Sequence, residues 1–201
     1  MKELITKKKY IRKKRYKAIV IGTSQGGMAA LTRLLPGLPQ DYSIPVIIVQ
    51  HVHPSQGESS TKYYDERCAL AVKEADDKES IQSGHIYFAA PNYHLLIEKE
   101  KIFSLSIDNK VNYARPSIDV LFESAADTYS SDLVGIILTG ANNDGAHGLD
   151  KIKQKGGLTI VQDPETAESS SMPQAAIDVV GADYVMSLEE IKNLLIELGK
   201  T

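Results

Sequence analysis

A chain of 201 residues, 42% hydrophobic and 24% charged, is long enough for one α/β domain with a sizeable core and has an ordinary soluble composition. No apolar run approaches the ~20 residues needed to span a bilayer, no secretory signal opens the chain, and the single cysteine, Cys68, excludes an internal disulfide and a cysteine-rich metal site. The net charge of −3 conceals an asymmetry: nine of the 23 Lys and Arg fall in residues 1–17 against one acid, Glu3, leaving 14 basic against 25 acidic residues in the rest.

In chain order, residues 1–16 form a basic arm. It is read as a solvated tail or as a segment that touches anionic partners, without a specific nucleic-acid motif. "KAIVIG" (17–22) predicts a buried strand, and "GMAALTRLL" (27–35) the helix after it, ended by Pro36 and Gly37. "PVIIVQ" (45–50) is a second buried strand, and a polar helix is expected over 58–68. "ALAVKEA" (69–75) and "GHIYFAA" (84–90) are strand-like, and residues 94–107 alternate with period two around a charged turn, as a β-hairpin does. A helix is expected over 117–128, and "LVGIILT" (133–139) is the strongest strand signal. A helix over 144–157, a strand "LTIVQ" (158–162) and a short helix "MPQAAIDVV" (172–180) follow. The last helix opens on a capping box, Ser187 and Glu190, and closes on Gly199.

Strands alternating with helices predict a doubly wound, mostly parallel α/β sheet with helices on both faces and a local antiparallel hairpin, a modified Rossmann-like fold. Sites in such sheets form outside the carboxyl ends of the strands. That rule selects residues 22–27, 50–53 and 139–144.

The first of these, "GTSQGG", admits two readings. A dinucleotide cradle needs G-x-G-x-x-G, but the middle position is Ser24, and the acid expected ~20 residues on is absent. The alternative template, G-x-S-x-G, is met by Gly22, Ser24 and Gly26: small residues on both sides permit a strained turn that presents the serine, with the Gln25 N–H at a helix start beside it. A serine needs a base, and His51 lies at the end of the second strand with His53 as a competitor. Asp144, beyond the strongest strand, can orient the base, although Asp is also a preferred residue at helix starts. His85 and His94 read as structural and His147 as a surface or rim residue, and no pair has metal-ligand spacing.

Five motifs in order then resemble the catalytic domain of the chemotaxis protein-glutamate methylesterases, the CheB family, over residues 17–198. They are "GTSQGG" against G-A-S-T-G-G, "QHVHP" against Q-H-M-P, "GHIYFAAPNYH", "RPSIDVLF", and "LTGANNDGAHG" against L-T-G-M-G-x-D-G-A-x-G. The resemblance implies Ser24 as nucleophile, His51 rather than His53 as general base and acid, and Asp144 as the residue orienting it. It implies hydrolysis of glutamyl γ-methyl esters on the cytoplasmic helices of chemoreceptors, deamidation of particular glutamines through the same acyl-enzyme, and neither metal nor cofactor; a cytoplasmic protein is the simplest reading of the composition. The oxyanion donors expected are the Gln25 N–H first and the turn 140–142 second. Gln25 stands in place of threonine, and Ala141 and Asn142 in place of Met-Gly, so these three form the expected binding rim; Arg115, in a shared motif, is a candidate contact for acidic receptor side chains.

The domain reading is a basic arm (1–16) and a catalytic domain (17–201). The family's usual phospho-receiver domain has no counterpart in it, which points to regulation by a protein in trans, constitutive activity or a different substrate. The competing readings are an inactive binding module of the same fold, a methylesterase-like enzyme on a non-receptor substrate, an esterase of small esters, and a nucleotide-binding protein.

Overall fold

The computed structural model describes residues 14–51 and 61–200. Strand β1 (Ala18–Thr23) is buried along its whole length. Its alternation sends Ile19 and Ile21 to one face of the sheet and Ala18 and Val20 to the other. Helix α1 (Gly27–Leu34) follows and passes into a 3₁₀ turn (Leu35–Gly37) at the predicted Pro-Gly stop. Strand β2 (Val46–Gln50) comes next. Of the helix expected over 58–68, the described part is α2 (Thr61–Asp65).

Strands β3 (Ala71–Glu74) and β4 (His85–Phe88) precede the hairpin β5 (His94–Ile97) and β6 (Phe103–Ser106), which forms a separate antiparallel pair. The second half of the chain runs α3 (Ile118–Tyr129), β7 (Leu133–Ile137), α4 (Ala146–Gln154), β8 (Leu158–Gln162), α5 (Ser171–Val180), β9 (Tyr184–Met186) and α6 (Leu188–Leu198). The capping box at Ser187 and Glu190 is formed as its spacing predicts.

Seven strands form one sheet in the order β3-β4-β2-β1-β7-β8-β9, every pair parallel. Both faces are covered. Leu31 and Leu34 of α1 and Ile191 and Leu195 of α6 pack on one side. Leu121 and Phe122 of α3, Leu149 of α4, Ala176 of α5 and the hairpin residues Leu95 and Phe103 pack on the other. Burial on two faces explains why the central strands read as continuous apolar runs. The doubly wound fold expected from the sequence is the one observed. Strand β9 is an addition to that reading, and helix α4 begins two residues later than predicted, because Gly145 caps it in the left-handed conformation at φ 95°.

Candidate functional site

The loops after β1, β2 and β7 are tied together by backbone hydrogen bonds. His51 N–H donates to Thr23 O (2.9 Å) and Ser24 N–H to Thr139 O (3.0 Å). Thr139 is a buried knot among these turns: its Oγ1 donates to Gln25 O (2.8 Å) and accepts from Ser169 N–H (2.9 Å), and its carbonyl also accepts the Thr23 hydroxyl (2.9 Å). The three sheet ends that carry Ser24, His51 and Asp144 are therefore held in fixed relation.

The turn after β1 differs in one respect from the expected strained nucleophile. Ser24 is not among the residues with left-handed backbone; Gly26, two residues on, takes that conformation at φ 79° and caps α1. The bend is thus made by a residue without a Cβ, and Ser24 stays unstrained. Gly27 N–H returns to Ser24 O (2.8 Å), whereas the Gln25 and Gly26 N–H groups have no hydrogen bond among the described residues. They are open donors at a helix start.

Asp144 is fully buried. Its Oδ1 accepts from the Ser117 hydroxyl (2.8 Å), Asn112 Nδ2 (3.0 Å) and Asp119 N–H (3.2 Å), and its Oδ2 accepts Ile118 N–H (2.7 Å). Burial alone would raise its pKa. The neighbouring His51, the Asn112 amide, the Ile118 N–H and the Ser117 hydroxyl outweigh that effect and hold the carboxyl below the usual carboxylate range. His51 Nε2 lies 3.0 Å from Asp144 Oδ2, an ion-pair distance at which the ring N–H is not aligned as a hydrogen bond. The other ring nitrogen, Nδ1, meets Asn142 Nδ2 at 3.2 Å.

Ser24 and His51 line one cleft of about 1060 Å³, together with Gln25, Met28, Arg33, Gln50, Tyr63, Ala141 and Glu168. Among the expected oxyanion donors, the Gly140 N–H is engaged by Ser169 O (3.0 Å), while Ala141 and Asn142 N–H carry no hydrogen bond among the described residues. Arg115 does not line this cleft. Its Nη1 donates to the carbonyls of Ile107 (2.7 Å) and Asp108 (2.9 Å), so the guanidinium braces the loop that follows the hairpin. His53 and residues 1–13 of the basic arm lie outside the described residues.

The sequence reading missed the network behind Asp144. His94, placed there as structural, is buried and accepts Ser117 N–H on Nδ1 (3.2 Å), which positions the serine whose hydroxyl reaches Asp144. Ser117 was visible as the residue opening a helix. Asn112, in a polar loop 32 positions from Asp144, carried no local signal. His85 Nδ1 contacts Ser83 O (3.0 Å) and its ring stacks on Tyr87, while His147 is exposed, both as read. Among the described residues no group of three His, Cys, Asp or Glu is placed to hold a metal, and no helix is long and apolar enough to cross a membrane.

The strand ends of this doubly wound parallel sheet bring a serine and a histidine to one cleft, with a buried aspartate against the histidine, an arrangement that suits a hydrolase. The chain belongs to the CheB methylesterase family, whose model matches residues 19–195. It is 54% identical over 185 residues to a protein of Leptospira interrogans provisionally named for methylesterase and glutaminase activity, covering 92% of this chain and 96% of that one. It is 37% identical to the protein-glutamate methylesterase/protein-glutamine glutaminase of Thermotoga maritima, covering 90% of this chain and 54% of that protein, so it spans about half the length of that relative. The crystal structure of the Thermotoga maritima CheB methylesterase catalytic domain superimposes with a TM-score of 0.86 at 37% identity, covering 92% of this chain and all of that one.

Proposed function

We propose that the chain hydrolyses γ-methyl esters of glutamate side chains on chemoreceptors, and amides of particular glutamines, through an acyl-enzyme on Ser24. The observation that carries this reading is the buried, hydrogen-bonded Asp144 carboxylate 3.0 Å from His51 Nε2, with Ser24 in the same cleft.

The ring orientation supports the following order of steps. Nε2 faces Asp144, so Nδ1 is the nitrogen available to Ser24. Ser24 Oγ attacks the ester carbonyl while its proton passes to His51 Nδ1. The negative oxygen of the tetrahedral adduct is held by Gln25 N–H, with Ala141 N–H as the second donor. His51 returns the proton to the departing methoxide, releasing methanol. Water then attacks the acyl-enzyme by the same route, giving the glutamate carboxylate and free Ser24. For a glutamine substrate the leaving group is ammonia. No step calls for a metal or cofactor.

The cleft supports a side-chain ester presented on a protein surface. Met28 and Tyr63 offer apolar contact and Arg33 a cation at its walls, a combination suited to an amphipathic acidic helix. Gln25 and Ala141 line the cleft with Ser24 and His51, and Asn142 touches the His51 ring. Regulation by a protein in trans and a cytoplasmic location belong to the same reading.

The test is methanol release from methylated receptor, alongside labelling by a fluorophosphonate probe read as intact mass. Ser24→Ala and His51→Ala are expected to lower kcat on the order of 10⁴-fold or more, and Ser24→Ala to abolish labelling. A folded native protein that neither labels nor releases methanol would instead favour an inactive binding module, and labelling with turnover of small esters alone a general esterase.

A further inference from the structure

Asn142 touches the base itself. Its Oδ1 accepts the Asp144 N–H at 3.1 Å, and this fixes which end of the amide faces the ring: Nδ2 lies 3.2 Å from His51 Nδ1. An amide nitrogen only donates, so the Nδ1 it meets is the unprotonated one and the ring proton sits on Nε2, beside Asp144. The contact therefore selects the tautomer that catalysis needs.

It also occupies the electron pair that catalysis uses. An imidazole nitrogen offers one in-plane lone pair, and the Ser24 hydroxyl must donate to that same pair to become a nucleophile. Ser24 Oγ makes no hydrogen bond to any described residue. Asn142 and Ser24 are thus rivals for one acceptor, and in this structure Asn142 holds it.

We infer that Asn142 is a positioning residue that latches the base: it presets the His51 tautomer and withholds Nδ1 from Ser24 until its amide swings aside. The inference rests on the reading of Ser24 and His51 as nucleophile and base. The latch is a property of this chain's own side chain, because the pattern it resembles has glycine at this place, which cannot reach the ring. Once the amide leaves, the Ser24 proton transfers to Nδ1 as the Oγ–acyl bond forms.

The second-order rate of fluorophosphonate labelling tests this in native protein, Asn142→Ser, Asn142→Gly and Ser24→Ala. Serine retains an oxygen able to accept the Asp144 N–H but is too short to reach the ring. Losing one neutral hydrogen bond of ordinary net strength corresponds to labelling about three- to tenfold faster in both Asn142 variants. Damage to the site slows labelling, so acceleration separates a latch from a support. The ¹⁵N signals of the His51 ring provide the readout independent of chemistry: Nδ1 unprotonated in the native protein, and moved by Asn142→Ser. Labelling of the native protein at a rate that the Asn142 variants match or fall below overturns the latch and leaves the nucleophile in place, as does an Nδ1 signal unmoved by Asn142→Ser. No labelling in any folded protein, or undiminished labelling of Ser24→Ala, overturns the nucleophile and the latch with it.

Discussion

Four hydrogen bonds reach the Asp144 carboxylate, from Asn112, Ser117, Ile118 and Asp119, before His51 is counted. A buried charge is tolerable only when such donors replace its water. They also depress its pKa, which ties stability to pH. A carboxyl whose folded pKa lies below its unfolded value contributes stability that is fully present above the unfolded value, ordinarily 3.8, and is lost as pH falls through the folded one. Asp119 works in the opposite sense. Burial first, then the neighbouring Asp144 charge, raise its pKa against the Gly148 N–H bond, so its share of stability is present at low pH and is lost as pH rises through the raised value. Asp144→Asn keeps the shape and removes the charge. Its melting temperature is expected below the native one near neutral pH, and the gap should close as the pH drops below about 4. In the same variant kcat should fall on the order of 10⁴-fold, since a neutral amide no longer stabilises the imidazolium. Melting curves across pH check the first expectation and methanol release the second. A gap that stays constant in acid would remove Asp144 as the titrating group.

At the level of elements, the end of β1 and the start of α3 share a space that admits no extra atom. A Cβ on Gly22 would stand 2.4 Å from Ile118 Cγ2, and the Ile118 N–H is one of the donors to Asp144. Gly22→Ala is therefore expected to destabilise the protein by about 1–3 kcal/mol through overpacking, and to slow Ser24 labelling because the start of α3 must move. Ile118→Ala in the same chain removes the colliding methyl, so the double variant should lose less than the two singles combined; urea titrations close the cycle. The same pair shows what a sequence can convey. Gly22 was legible as part of a G-x-S-x-G turn, but the helix it abuts, 96 positions away, was not, because nothing local encodes a tertiary contact. Strand ends were legible where apolar runs stop, which located Ser24, His51 and Asp144. Strand β9 was not: it has three residues, pairs only with β8 at the sheet edge, and leaves Val185 about half exposed, so it carries neither a run nor an alternation long enough to read. The bend was expected to strain Ser24 but falls on Gly26, since a left-handed residue is cheapest where there is no Cβ.

At the scale of the molecule, the chain begins its sheet in the middle. Strand β1 is flanked by β2 on one side and β7 on the other, so the connections leaving it and its neighbours part company at one place, where a crevice opens beyond the carboxyl ends. Many folds of this kind use the crevice for a nucleotide, and the glycine-rich first turn invites that reading here. The structure argues against it on steric grounds. The exposed Glu168 side chain lies over Gly26 at the start of α1, with its Cβ 2.7 Å and its carboxyl carbon 3.0 Å from where a Cβ of that residue would stand. A pyrophosphate needs to approach the backbone there, and it would meet both the side chain and its negative charge. The oxyanion proposed on Ser24 is smaller, is met by the Gln25 and Ala141 N–H groups, and does not require that surface. Beyond β2, where a dinucleotide fold would hold a ribose with an acid, stand Gln50 and His51. NAD and ATP at millimolar concentration are accordingly expected to leave the melting temperature unchanged. A ligand present at a hundred times its Kd adds about 2.7 kcal/mol, which for a chain of this size raises the midpoint by roughly 5–10 °C, well within the reach of a thermal-shift measurement. A rise of that size with either nucleotide would mean that Glu168 yields to phosphate, and the crevice would have to be read as a cradle.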